Sequence, residues 1–299
     1  MKLHLTALSL LLVYLLSCAS ASWAAPMEVY VSIPPQKWLS DELGGDRVIT
    51  HVLVTKGRDP HTYEPTPKQI SALARTKVYF TIGLEFEKQI TQKLAATVAN
   101  LRLVDSTHGI TRIPMTEDTH ETAHKDHGGH TGDDPHVWLS PVNLQIMAKE
   151  MAAALVAADP ENTTIYERNL ARITAELAQL HLVLQKELAP YKGAAFYVFH
   201  PSFGYFAKEY NLRQQAVEIA GKSPSPRQLS ALIGMARQDK MKIIFVQPQF
   251  DTKSAQTVAQ AIDGIVEPLD PLAEDVVGNL KIITEKITSA LNGKEGRKN

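Results

Sequence analysis

The sequence predicts an α/β protein built as two lobes of parallel sheet, joined by one long rigid helix. Short β-rich runs alternate with helical patterns in both halves of the chain, which implies parallel strands with helices packed on both faces. Four helix starts carry a capping side chain directly before proline. Between the halves, one apolar stripe runs without a turn signal from Asp159 to about Leu188.

In chain order, Val29–Ile33, Val48–Val54, Val78–Ile82 and Leu101–Val104 read as buried strands of the first lobe. Thr66-Pro67, Ser140-Pro141, Asp159-Pro160 and Ser225-Pro226 mark helix starts. At each, an oxygen can accept a first-turn N–H, and proline at the first helical position surrenders an N–H that has no helical partner anyway. The helix over 140–158 completes the first lobe. Tyr166, Leu170, Ile173, Leu177, Leu180, Leu184 and Leu188 then recur at spacings of three and four, the period of one helix with a single apolar face. At about 1.5 Å per residue it spans on the order of 40 Å, more than one lobe needs for itself. Beyond this strut, Ala195–Phe199, Gln215–Ile219 and Lys242–Val246 read as strands, with helices after Pro226 and Thr252 and a last one from about Leu272. The expected division is an export signal over 1–25, a first Rossmann-like lobe over 26–139 with its helix 140–158, a linking helix over 159–190 and a second such lobe over 191–299.

A chain of 299 residues is long enough for two domains at roughly 100–200 residues each. Its formal net charge of −1 argues against nucleic acid or an anionic membrane surface as the main partner. Lys2, the apolar run through Leu16 and the small residues Ser17-Cys18-Ala19-Ser20-Ala21 have the order of a secretory signal, cleaved after Ala21 or Ala24. A periplasmic location follows. Cys18 is the only cysteine, so no internal disulfide forms; the other outcome for it is a lipid anchor, with Leu15-Leu16-Ser17-Cys18 as the lipobox.

The chemistry lies in the histidines. Asp59-Pro60-His61 and Asp134-Pro135-His136 are Asp-Pro-His tripeptides, and His200-Pro201 is a third His-Pro pair. Proline fixes its own φ and extends the residue before it, so each imidazole is presented from a stiff loop. Three imidazoles on separate loops at strand ends suit Zn2+, at about 2.0–2.1 Å from each nitrogen. Asp270, again before a proline, is the candidate fourth ligand; the other role open to it is capping the last helix. Asp59 and Glu64 are candidates to orient the His61 ring from behind. His120, His124, His127 and His130 lie in a segment, 116–133, rich in His, Gly, Asp and Thr and almost without apolar residues; it reads as a solvated loop for accessory metal capture. His4, His51, His108 and His181 have no such context and read as structural.

These residues resemble the metal-specific substrate-binding proteins of bacterial ABC importers, in particular the periplasmic zinc-uptake type. The stretches that carry the likeness are Gly57 to Pro67, Gly83-Leu84-Glu85-Phe86-Glu87, Asp134 to Pro141, Phe199 to Tyr205 and the run from Pro224 to Phe250. The resemblance implies one ion held between the lobes, by His61 and His136 from the first and His200 and Asp270 from the second. It also implies an ABC permease as partner, a monomer, and a His-rich loop of the kind that marks zinc-type members. Two features depart from it: Gln247 stands where an acidic residue is common, and the His tract is short. The carboxylate of Asp270 leaves Mn2+ as the alternative ion, since hard oxygen ligands suit it.

Two other classes compete. A zinc hydrolase would need a general base, for which Glu64 and Glu85 are available, but the chain has no His-Glu-x-x-His helix, no Gly-x-Ser-x-Gly elbow and no phosphate loop. A surface adhesin would need the anchor at Cys18.

Overall fold

A computed structural model describes residues 25–115, 132–218, 224–250 and 252–293. The export signal, Cys18 and the four histidines of the tract lie outside the described residues. The first lobe is β1 (Met27–Val31), α1 (Pro34–Gly44), β2 (Val48–Val52), α2 (Pro67–Leu73), β3 (Val78–Thr81), α3 (Glu85–Thr97), β4 (Arg102–Asp105) and α4 (Pro141–Ala158). The strut is α5 (Thr163–Leu188). The second lobe is β5 (Ala195–Val198), α6 (Gly204–Glu209), β6 (Arg213–Ala216), α7 (Pro226–Gln238), β7 (Ile243–Val246), α8 (Lys253–Ala261), β8 (Ile265–Pro268) and α9 (Val276–Leu291).

Both sheets are four-stranded and parallel, in the orders β2-β1-β3-β4 and β6-β5-β7-β8. The lobes thus repeat one topology, and each reverses its winding between its first and third strands. A parallel sheet with that reversal opens a crevice beyond the carboxyl ends of its strands. In both lobes those ends carry the candidate site residues.

Thr66, Ser140 and Ser225 cap their helices as expected, each accepting a first-turn backbone N–H. Asp159 does not. Pro160–Asn162 forms a separate 3-10 turn, and the Asp159 carboxylate accepts from the Asn162 amide (2.8 Å) and the Tyr166 hydroxyl (2.6 Å), tying the end of α4 to the first turn of α5. Likewise the last helix begins at Val276 rather than near Leu272, because Asp275 supplies its cap by accepting from the N–H of Gly278. β8 escapes a reading by pattern: it is a half-exposed edge strand whose four residues include Glu267 and Pro268.

The strut buries Tyr166, Ile173, Leu177, Leu180, Leu184 and Leu188, all on its apolar stripe. It packs against α1 and α4 of the first lobe and α9 of the second. One contiguous apolar core therefore runs from β1 and β3 through the strut into β5 and β7. No helix among the described residues is long and apolar enough to cross a membrane.

Polar side chains pin the strand ends of the first lobe. Gln36, fully buried on α1, accepts from the N–H of Ser32 (2.9 Å) and donates to the carbonyls of Phe80 and Thr81 and to the Ser106 hydroxyl. Glu87 is buried beside it and accepts from Ser32 and from the N–H groups of Ile82, Gly83 and Leu84. Burial pushes its carboxyl up to about 7 although those donors pull the other way. The folded value lies above the ordinary 4.5, so this group's stabilising contribution is complete below that pH and is lost as pH rises through about 7. The loss is on the order of 2–3 kcal/mol. Urea unfolding at about pH 5 and about pH 8 should show a smaller pH difference in Glu87→Gln than in the parent; equal differences would refute it.

Candidate metal centre

His61 lies in the loop after β2. The carboxylate of Asp59 accepts from the His61 backbone N–H (2.9 Å) and from the Thr62 hydroxyl (3.0 Å), closing an Asx turn around Pro60. The second tripeptide repeats the device after β4: Asp134 Oδ1 accepts from the His136 backbone N–H at 2.9 Å. The same oxygen lies 2.7 Å from His136 Nδ1, so Asp134 fixes both the main chain and the ring. His200 stands two residues past β5. Its Nδ1 is 2.5 Å from Glu218, which stands two residues past β6. Gln247, one residue past β7, accepts from the His200 N–H (3.1 Å) and donates to the His200 carbonyl (2.6 Å), while Phe250 stacks on the ring with centroids 4.8 Å apart.

The three imidazoles converge. Their ligating nitrogens all lie within 4.8 Å of one another, and His61 Nε2 is 3.1 Å from His200 Nε2. Two nitrogens on one tetrahedral Zn2+ stand about 3.3 Å apart at Zn–N distances of about 2.0–2.1 Å. Nδ1–H donation to Asp134 and to Glu218 leaves the Nε2 atoms of His136 and His200 as bare acceptors. Burial first, and then the neighbouring His200, hold the His136 pKa well below 6.5, so that ring is neutral and could bind a metal. The cavity the three rings line has about 10 Å³ of free volume, room for a single ion or water.

The electrostatics fit a divalent cation. Asp134 and Glu218 are 2% and 5% exposed and lie directly behind two imidazoles. Burial pushes Asp134 up to about 7, partly offset by the His136 N–H, His200 and Arg112. A cation between the rings neutralises charge that the fold has taken out of water.

The other candidates stand further off. Asp270 is not among the three clustered residues: its Oδ1 accepts from Gln249 Nε2 (3.1 Å) and from the Leu272 N–H (2.9 Å). It does not cap the last helix, which Asp275 does. Asp59 spends its carboxylate on main chain and Thr62, and Glu64 is exposed with no hydrogen bond among the described residues. Glu85 pairs with Lys88 in solvent. His51 stacks on Tyr30, and His181 lies against Tyr210, both away from the centre. Gln247 entered the sequence reading only as a departure from the resemblance, and Glu218 and Gln249 carried no sequence signal of their own.

The model of the family described as zinc-uptake complex component A, periplasmic, matches residues 29–290. The chain belongs to this family. Its members are metal-binding, extracytoplasmic substrate-binding proteins of ABC importers. Among relatives, the chain is similar to a putative metal-binding protein of Treponema pallidum, 30% identical over 81% of this chain and 78% of that one. It is 29% identical to the high-affinity zinc uptake system protein ZnuA of Bacillus subtilis, over 82% and 78% of the two chains. It is 27% identical to the manganese ABC transporter substrate-binding lipoprotein PsaA of Streptococcus pneumoniae, over 74% and 72%. A crystal structure of ZnuA superposes with a TM-score of 0.81 at 42% identity, covering 89% of this chain and 99% of that one. The family thus includes both zinc and manganese proteins.

Two predictions follow from the supports of the imidazoles. Glu218→Gln should weaken metal binding about 10- to 100-fold in calorimetry while leaving the circular dichroism spectrum unchanged, since only ring orientation and basicity are lost. Gly204 opens α6 directly against the Asp134 carboxylate, where an added Cβ would collide with Oδ2. Gly204→Ala should therefore lower metal affinity by about tenfold or more without touching a ligand; unaltered affinity would show that Asp134 can shift freely.

Proposed function

We propose that this protein captures Zn2+ between its lobes, with His61, His136 and His200 as ligands, and delivers it to an ABC permease. The observation that carries the reading is the convergence of three imidazole nitrogens within 4.8 Å, backed by two buried carboxylates in a cavity the size of one ion. Soft-to-intermediate nitrogen ligands in a closed site favour zinc over harder ions. Asp270 is a conditional fourth ligand, one hydrogen bond removed from the cavity lining through Gln249. Mn2+ is the second reading because that carboxylate suits it, and a relative is named for manganese.

No bond is made or broken in this function. Neither Glu64 nor Glu85 lines the cavity, which leaves a hydrolytic water without the bases considered for it. The chain acts in the periplasm after loss of residues 1–25, or from the membrane if Cys18 is lipidated, and as a monomer. Each lobe, 26–158 and 191–299, contributes part of the site, and the strut over 159–190 limits their relative motion. Release is driven by docking on the permease, because a ligand set that holds zinc tightly opens only when a partner favours the open form. The tract His120, His124, His127 and His130 raises the local metal concentration without fixing geometry.

His61→Ala or His200→Ala should lower zinc affinity by about 100-fold or more, while deletion of 120–130 should change the main-site affinity by less than about threefold. Titration calorimetry on the three variants reads both, and equal losses for the loop and core variants would overturn the assignment of roles.

A further inference from the structure

We propose that Gln249 sets the metal preference of the centre by holding the Asp270 carboxylate out of the coordination sphere. The inference rests on the metal-capture reading and adds the device that selects the ion.

Gln249 lines the three-histidine cavity, and its side chain faces two ways. Nε2 donates to Asp270 Oδ1 at 3.1 Å. Oε1 is buried and has no hydrogen-bond partner among the described residues. Such an acceptor calls for an occupant, since an unpaired buried oxygen is unfavourable. Turning the amide over gives no relief, because Oε1 would then face the carboxylate oxygen of Asp270. A water on the fourth position of a three-histidine ion supplies what Oε1 lacks, an O–H donor within the same cavity. One amide then favours water as the fourth ligand from both ends: it restrains the competing carboxylate and accepts from the water.

Asp270 is placed to swing without moving the main chain. Its carbonyl accepts from Asn279 Nδ2 (2.8 Å), and the carbonyl of Pro271 accepts from Trp138 Nε1 (2.7 Å) across the lobes. The peptide is therefore held from both sides, and only the side chain is free to change. That side chain lines a neighbouring cleft with Lys56, Leu272 and Glu274, whereas Gln249, Pro271 and Leu272 line the metal cavity. Asp270 thus stands in the partition between the two. The bonds from Gln249 and Leu272 both end on Oδ1, and turning the carboxylate toward an ion works against the bond from Gln249, worth about tenfold in an equilibrium. A nitrogen-preferring ion does not need the carboxylate; a hard ion such as Mn2+ does.

The test is the ratio of Zn2+ to Mn2+ affinity, measured by competition calorimetry on the full mature chain. Gln249→Leu removes both amide atoms at similar volume, and Gln249→Glu replaces the donor with a repelling carboxylate; if one fails to fold, the other carries the test. In each, the ratio is expected to shift at least tenfold toward Mn2+, and the shift should vanish when Asp270→Asn is added. Asp270→Asn alone should lower Mn2+ affinity by a larger factor than Zn2+ affinity. A ratio unchanged in the folded variant, a shift that survives Asp270→Asn, or an Asp270→Asn loss as large as that of His61→Ala would each overturn the proposal. These outcomes are distinct from failure of the capture reading, which shows as metal binding that persists in His61→Ala and His200→Ala.

Discussion

Everything at the centre depends on pairing a buried imidazole with a buried carboxylate, once in each lobe. Asp134 behind His136 and Glu218 behind His200 fix which nitrogen carries the proton, and so turn both Nε2 lone pairs toward one point. Both carboxylates are nearly excluded from water, and the hydrogen bonds each makes offset the desolvation of a charge only in part. A cation on the far side of the rings would supply the rest of the compensation. Folding thereby sets an electrostatic demand that a divalent ion between the rings would satisfy.

That arrangement is maintained by packing more than by polar clasps. The core is continuous from one sheet to the other through α5, so a wide opening would expose apolar surface along the strut. Polar contacts between lobes among the described residues include Trp138 to Pro271, Ser140 to Glu209, Tyr205 with the N–H of Ile113, and the exposed pair of Lys37 with Glu274. Exposed pairs contribute little, whereas a buried indole bond beside a ligand fixes register. Trp138 sits two residues past His136 and next to its ring, so the bond that joins the lobes and a candidate metal-binding ring are part of one short segment.

The fold was legible where local chemistry and burial agree. Helices opened by Thr66, Ser140 and Ser225 and the stripe from Tyr166 to Leu188 are dictated by caps and periodicity, and the structure has them in place. Asp159 misleads because its carboxylate finds a better partner in Tyr166 than in the backbone, and β8 is hidden because an edge strand needs no apolar face. At the site, His61, His136 and His200 announce themselves through proline, which stiffens backbone in a way visible in one dimension. Glu218, Gln247 and Gln249 do not, because their roles arise only when separate strand ends meet.

Gln247 shows why a departure from a family pattern is informative once the geometry is known. It holds the His200 peptide by both its N–H and its carbonyl. A carboxylate at that position could accept from the N–H but would repel the carbonyl, so the amide is the side chain that locks this turn from both sides. Three of the four Asp-Pro pairs make the complementary point. Asp59, Asp134 and Asp270 each accept from the N–H two residues on, and in the first two that residue is a histidine. In the third it is Leu272, which lines the cavity with carbon. The same local device thus presents a candidate ligand twice and an apolar wall once, and one oxygen of the carboxylate is spent on the turn each time. Asp270 therefore begins as backbone support, and its becoming a ligand is a competition between Gln249 and the ion.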